Sequence, residues 1–118
     1  MKVEKISAIT LKVSNMQTSL CFYMNILGLK ALYGGGQTYF SSLSTNDGKD
    51  TILNLEQGNP VNDWGRVIFF VQDVDKFWIY LKEKGFKPER PRDAKWGERY
   101  FHMQDPDGHE LSFAQPLK

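Results

Sequence analysis

Two stretches of this chain carry the same succession of residue types, and no other feature of the sequence narrows its possible folds as much. Ile9, Leu11 and Val13 alternate with Ala8, Thr10 and Lys12, the period of a half-buried strand. Val67, Phe69 and Val71 alternate in the same way with Arg66, Ile68 and Phe70. Each strand runs into a helix signal. Asn15 stands as an N-cap before Met16, Leu20, Tyr23 and Leu27 at helical spacing, closed by Gly28. Asp73 stands before Val74, Phe77, Trp78 and Leu81, closed by Lys82, Lys84 and Gly85. An offset of 58 residues places Leu11 on Phe69, Val13 on Val71, Asn15 on Asp73, Met16 on Val74 and Leu20 on Trp78. The same offset places Leu53-Asn54-Leu55 on Leu111-Ser112-Phe113.

Between these anchors, strand-like segments are expected near 29–34, 37–44 and 50–56, and again near 86–90, 99–104 and 109–114. They are separated by Gly34-Gly35-Gly36, Asn46-Asp47-Gly48 and Asp105-Pro106-Asp107-Gly108. The reading is an α+β fold within a single domain, with βαβββ modules at about 5–57 and 65–115. The two modules are expected to form a curved mixed sheet around a cleft, with the helices on the outside. Alternation then puts Ile9, Leu11, Val13, Val67, Phe69, Val71, Leu111 and Phe113 under the helices. Ala8, Asn54, Arg66, Ile68, Phe70 and Ser112 face the cleft.

Composition removes several function classes. Fifteen basic side chains against fourteen acidic ones leave a net charge of +1, which gives no footprint for a nucleic-acid backbone or an anionic membrane. The single cysteine, Cys21, excludes an internal disulfide and a CxxC zinc knuckle, and it is expected to be a buried small apolar residue. The start MKVEKISAIT has no secretory apolar stretch, and no segment approaches the roughly 20 apolar residues of a membrane span. A cytoplasmic protein with no membrane partner is expected.

The segment Trp96-Gly97-Glu98-Arg99-Tyr100-Phe101-His102-Met103-Gln104, followed by Asp105-Pro106-Asp107-Gly108-His109, resembles the vicinal oxygen chelate superfamily, which includes glyoxalases, bleomycin-resistance proteins and extradiol dioxygenases. The first helix, with Phe22-Tyr23 before Leu27-Gly28-Leu29, is similar to that family's first helix, and the likeness covers essentially the whole chain. It lies nearest the bleomycin-resistance branch. The resemblance implies chelating His or Glu side chains on the first and last strands of each module, and the matching positions here are Ala8, Asn54, Arg66 and Ser112. None is a strong ligand for a divalent ion, and a guanidinium repels one. A shifted set from His102, His109 and Glu110 is conceivable, but Glu110 lies about 6.6 Å along the strand from the Ser112 position. His109 and Glu110 are expected to have ordinary surface or turn roles. No metal, no other cofactor and no catalytic residue is assigned.

The remaining candidates form a binding set: Asn54, Trp64, Arg66, Phe70, Trp96, Tyr100, His102 and Ser112. Arg66 either pairs with an internal acid such as Glu110 or holds an anionic ligand. Asn54 and Ser112 offer uncharged hydrogen bonds, while Phe70, Tyr100, Trp64 and Trp96 offer flat surfaces to a planar ligand. His102, in phase with Tyr100, is either a wall residue or a proton carrier. The function expected is metal-free binding of an aromatic or anionic small molecule by a homodimer, in the manner of antibiotic-resistance proteins. The alternative is a metal-dependent lyase or dioxygenase with displaced ligands.

Overall fold

A computed structural model describes residues 1–45 and 50–117, so the expected turn at Asn46-Asp47-Gly48 lies outside the described residues. The chain divides into two compact units, Met1–Val61 and the part from Asn62 onward. The first contains β1 (Ala8–Val13), α1 (Met16–Leu20), a π-helical segment (Cys21–Ile26), β2 (Lys30–Tyr33), β3 (Phe40–Ser44) and β4 (Ile52–Gln57). The second contains β5 (Arg66–Phe70), α2 (Val74–Glu83), β6 (Arg92–Asp93), β7 (Glu98–Gln104) and β8 (Glu110–Pro116). Hydrogen bonds order the strands β1-β4-β3-β2 and β5-β8-β7-β6. Each unit is thus a βαβββ module with its own four-stranded mixed sheet.

The duplication extends to register. Ala8 pairs with Ile52 and Thr10 with Asn54 in the parallel ladder of the first module. Their counterparts 58 positions on, Arg66 with Glu110 and Ile68 with Ser112, pair in the second. The third strand carries a small insertion. Ser42 faces Asn54, whereas His102 faces Ser112, so this strand is displaced by 60 residues.

Both helix starts form as their caps dictate. Asn15 accepts from the Thr18 amide at 2.9 Å and Asp73 from the Lys76 amide at 3.0 Å. The Val74 amide is satisfied by the Gln115 side chain at 2.6 Å, which ties the start of α2 to β8. Gly85, at φ +95, takes the left-handed turn that ends α2.

Three expectations need correction. The first helix is not α-helical throughout, because from Cys21 it widens into π geometry, with the Leu27 amide bonding the Phe22 carbonyl at 3.0 Å. The wider turn brings neighbouring residues Phe22 and Tyr23 into the core together, edge to face with ring centroids 5.0 Å apart. It also leaves Cys21 on the outer side, exposed, with Gln17 Nε2 at 3.9 Å from its Sγ. Residues 86–90 form no strand, and β6 is instead the two-residue Arg92–Asp93. Pro88 lies within this stretch and Pro91 follows it, and neither has an amide to donate to a ladder. One backbone bond, from the Glu89 amide to the His102 carbonyl at 2.9 Å, holds it to β7.

One face of each sheet is sealed by its helix. Leu11, Val13, Leu53 and Leu55 are buried with Met16 and Leu20 in the first module. Leu111, Phe113, Phe101 and Met103 are buried with Val74 and Leu81 in the second. Ile9, Val67, Phe69 and Val71, expected in the same layers, are half-buried, and β1 and β5 are edge strands of their sheets. Phe113 is the centre of the second core, with Phe77, Phe101 and Phe69 at centroid distances of 5.1, 5.2 and 5.6 Å. Outside this core, Arg99 binds Asp75 of α2 and Asp93 of β6, both at 2.9 Å, tying three elements together. In the first core, the Ser41 hydroxyl is buried without a hydrogen-bond partner.

Phe113→Ala is therefore expected to cost about 3–5 kcal/mol in denaturant unfolding, because it opens a cavity among three rings. Ser41→Ala removes an unsatisfied buried hydroxyl and should raise stability by about 1 kcal/mol in the same measurement. A loss on Ser41→Ala would show that the hydroxyl has a partner.

Candidate functional site

The face of the second sheet away from α2 is built by register. Arg66, Ile68 and Phe70 of β5 lie beside Glu110, Ser112 and Ala114 of β8. These in turn lie beside Gln104, His102 and Tyr100 of β7. The face therefore has three rows: Arg66–Glu110–Gln104, Ile68–Ser112–His102 and Phe70–Ala114–Tyr100. Successive rows are about 6.6 Å apart, the rise of two strand residues. The first is polar and the last is apolar.

Hydrogen bonds connect the polar end. Arg66 Nη1 lies 2.9 Å from His102 Nε2, Arg66 Nη2 donates to Glu110 Oε2 at 3.1 Å, and His102 Nδ1 lies 2.6 Å from Ser112 Oγ. A guanidinium has donors and no acceptor, so the His102 Nε2 facing it must carry the lone pair. The ring is then neutral with its proton on Nδ1, donated to Ser112. This direction excludes one chemistry: His102 cannot draw a proton from Ser112, so the two are not a nucleophile and its base. Burial first, and the Arg66 charge second, lower the His102 pKa from its ordinary 6.5.

The pairing of Arg66 with Glu110 occurs near the surface, with side chains 41% and 39% exposed. It uses one carboxylate oxygen and one guanidinium nitrogen. Such a pair contributes about 0–1 kcal/mol and leaves other guanidinium donors open. A cleft of about 390 Å³, lined by Phe86, Lys87, Glu89, His102 and Glu110 among others, opens beside this group. Glu110 and Gln104 also border a second hollow of about 280 Å³ with Asn62 and Asp63.

At the apolar end, Phe70 is 69% and Ile68 63% exposed. Trp96, 71% exposed, stacks on Tyr100 at 5.9 Å, and Tyr100 lies 5.1 Å from the His102 ring. Arg92 sits 5.2 Å over Tyr100, and the Trp96 indole N–H donates to Glu98 at 2.8 Å. The arrangement joins a cationic head and a hydrogen-bonded imidazole to a strip of exposed rings.

Six of the eight expected site residues, Arg66, Phe70, Trp96, Tyr100, His102 and Ser112, thus belong to one connected region of the second module. Trp64 does not join the chain of contacts. Its indole donates to His109 Nδ1 at 3.1 Å, with the rings 6.2 Å apart. His109 is consequently a buried core residue, 1% exposed, and not the surface or turn residue expected from its place after the glycine. Asn54 occupies the matching place in the first module, where its Oδ1 accepts from Ser42 at 2.7 Å and its Nδ2 donates to Thr10 at 3.3 Å. Glu110 completes the cationic end and was absent from the expected binding set. Its signal was present in the alternation, which put it on the same strand face as Ser112.

A divalent ion does not fit this donor set. Arg66 places a fixed positive charge there, Ser112 offers a hydroxyl, and the His102 lone pair is already committed to Arg66. No group of three or more His, Cys, Asp or Glu able to hold a metal occurs among the described residues.

Comparison with known proteins identifies the family. Residues 5–113 match the model of the Glyoxalase/Bleomycin resistance protein/Dioxygenase superfamily, and the chain belongs to that family. It is 28% identical to a metallothiol transferase FosB of Lysinibacillus sphaericus, over 96% of this chain and 83% of that protein. It is 30% identical to a lactoylglutathione lyase of Neisseria meningitidis, over 89% of this chain and 86% of that one. Its fold is shared by TnmS3, an antibiotic binding protein from Streptomyces sp. CB03234, with a TM-score of 0.77, 20% identity and 98% of both chains covered.

The lowered His102 pKa has a measurable consequence. Below pH 6.5 the unfolded chain binds the proton that the folded imidazole still refuses, so stability is full above about pH 6.5 and falls as the pH drops toward the folded pKa. His102→Gln should remove that part of the slope in melting temperature below about pH 6.5. An unchanged slope would mean that the imidazole titrates alike in both states.

Proposed function

We propose that this chain binds a small aromatic or anionic molecule on the β5–β8–β7 face of its second module, without a metal ion and without assigned catalysis. The observation that carries the reading is the chain Glu110–Arg66–His102–Ser112, which puts a half-exposed guanidinium where the family's chelators would lie. The exposed rings of Phe70 and Trp96 supply contact for a flat body. An anion held there gains charge-assisted hydrogen bonds from Arg66, and Ser112 and His102 fix its orientation. Trp64 of the same module is the other candidate contact. An antibiotic-binding protein with the same fold supports sequestration as the class of activity.

The second reading is a metal-dependent enzyme, favoured by the names of the two enzyme relatives, a metallothiol transferase and a lactoylglutathione lyase. Two experiments separate the readings. Zinc, nickel or manganese should leave the melting temperature unchanged, whereas a specific ion at about 100 times its Kd would add about 2.7 kcal/mol of stability. Arg66→Ala should weaken the binding of aromatic carboxylates, read by tryptophan fluorescence, by about 1.5–3 kcal/mol while the fold survives. Arg66→Lys should recover part of that loss, since it keeps the charge but not the planar fork. Unchanged carboxylate affinity in Arg66→Ala, or one tightly held ion per chain, would overturn the metal-free reading.

We further infer a cytoplasmic homodimer. No helix among the described residues is long and apolar enough to cross a membrane. β1 and β5 are edge strands of their sheets, and Val3 and Ile6, ahead of β1, leave exposed apolar surface. Sedimentation at micromolar concentration should show twice the 13.6 kDa chain mass, and a monomer would refute the dimer.

A further inference from the structure

The sheet face that carries Arg66 extends beyond its three strands onto β6. There Arg92 pairs with Tyr100 and Asp93 with Arg99. Residues opposite one another in a ladder share a face, so Arg92 stands on the side of Tyr100 and His102. The neighbouring pair agrees, because Asp93 and Arg99 turn to the other side, where Arg99 meets Asp75 of α2. The row Phe70–Ala114–Tyr100 therefore ends in a cation, Arg92, which the alternation along β7 alone does not reveal.

Arg92 has no carboxylate partner among the described residues. Asp93 binds Arg99, Glu98 accepts from the Trp96 indole, and Glu110 binds Arg66. Glu89 lies near enough for its charge to act on His102, but it forms no ion pair with Arg92. What holds Arg92 is the Tyr100 ring, with the ring centre 5.2 Å from its Cζ, and this contact uses the guanidinium charge without engaging an N–H group. The side chain is exposed, so those N–H groups are open to a ligand.

Two guanidinium groups thus address one pair of rings. Arg66 reaches His102 from β5, Arg92 covers Tyr100 from β6, and the two rings lie 5.1 Å apart on β7. Both charges act on the imidazole in the same sense. Trp96, stacked on Tyr100, lengthens the ring surface. We propose that Arg92 is a second anion-binding residue of this site and that its ligand is an aromatic diacid, with one acidic group on Arg66, the other on Arg92 and the flat body against Tyr100 and His102. This rests on the metal-free binding reading above and adds to it a residue and a second charge on the ligand. What such a ligand gains over a single acid is a second set of charge-assisted hydrogen bonds.

The test is titration of the full chain, followed by tryptophan fluorescence, with benzoate and with the three benzene dicarboxylates phthalate, isophthalate and terephthalate. At neutral pH the carboxyl groups of all four are ionised. At least one diacid should bind wild type about tenfold more tightly than benzoate, the scale of one added charge-assisted contact. Arg92→Gln should bring that ratio down to about twofold, the statistical advantage of having two carboxylates. Arg92→Lys, which keeps the charge without the fork, should retain part of it and serves if the glutamine variant is unstable. Lys76→Gln, which removes a positive charge from α2 on the other side of the sheet, should leave the ratio as in wild type. A ratio of twofold or less for every diacid in wild type, or a ratio that survives Arg92→Gln, would overturn the role of Arg92. An equal fall in Lys76→Gln would overturn it too, by showing an effect of overall charge. These failures concern only the ratio, whereas the Arg66 reading falls on unchanged carboxylate affinity in Arg66→Ala. Absence of binding by all four acids would overturn the proposed ligand class.

Discussion

A guanidinium gives hydrogen bonds and accepts none, and the polar end of the second module is arranged around that asymmetry. Arg66 fixes the lone pair of His102 on Nε2, the proton on Nδ1 then goes to Ser112, and the ring is kept neutral by burial and by the charge it faces. A carboxylate or imidazole at position 66 would face His102 with an acceptor and permit other tautomers. With arginine there, the imidazole orients the guanidinium through its Nε2 lone pair.

Duplication explains how such a site arises on this scaffold. The parallel ladders of the two modules share one register at an offset of 58 residues, so equivalent positions have equivalent neighbours. Position by position the chemistry differs: Ala8 corresponds to Arg66, Thr10 to Ile68, Ser42 to His102 and Asn54 to Ser112. The first module keeps a neutral hydrogen-bonded set of Ser42, Asn54 and Thr10. The second carries a charge and exposes apolar surface beside it. The scaffold needs only the helix-side residues of each strand to stay apolar, which leaves the opposite face free to change.

The family relationship locates the departure. Relatives at 28% and 30% identity are a metallothiol transferase and a lactoylglutathione lyase by name, and this chain carries Ala8, Asn54, Arg66 and Ser112 on the first and last strands of its modules.

Much of this was legible in sequence, because alternation fixes strand faces and caps fix helix starts. Leu11 and Phe113 as core, Asn15 and Asp73 as caps, and Arg66, Phe70, Tyr100, His102 and Ser112 on the face away from the helix all follow from periods of 2 and 3.6 residues. Periodicity cannot say which side chains on a face touch. That Arg66 meets His102 and Glu110, while Trp64 turns to a buried His109, depends on register between strands distant in sequence. Local rules also missed the π turn that exposes Cys21, since its reason is the packing of Phe22 and Tyr23. The missing strand at 86–90 was readable after all, from Pro88 within it and Pro91 just after it, but β6 took its place only because Arg92 and Asp93 find partners in Tyr100 and Arg99 of β7. The sequence by itself determined the modules and their faces. Tertiary structure decided the proton on His102 and the occupancy of Arg66, because both depend on atoms brought within 3.1 Å of one another from three different strands.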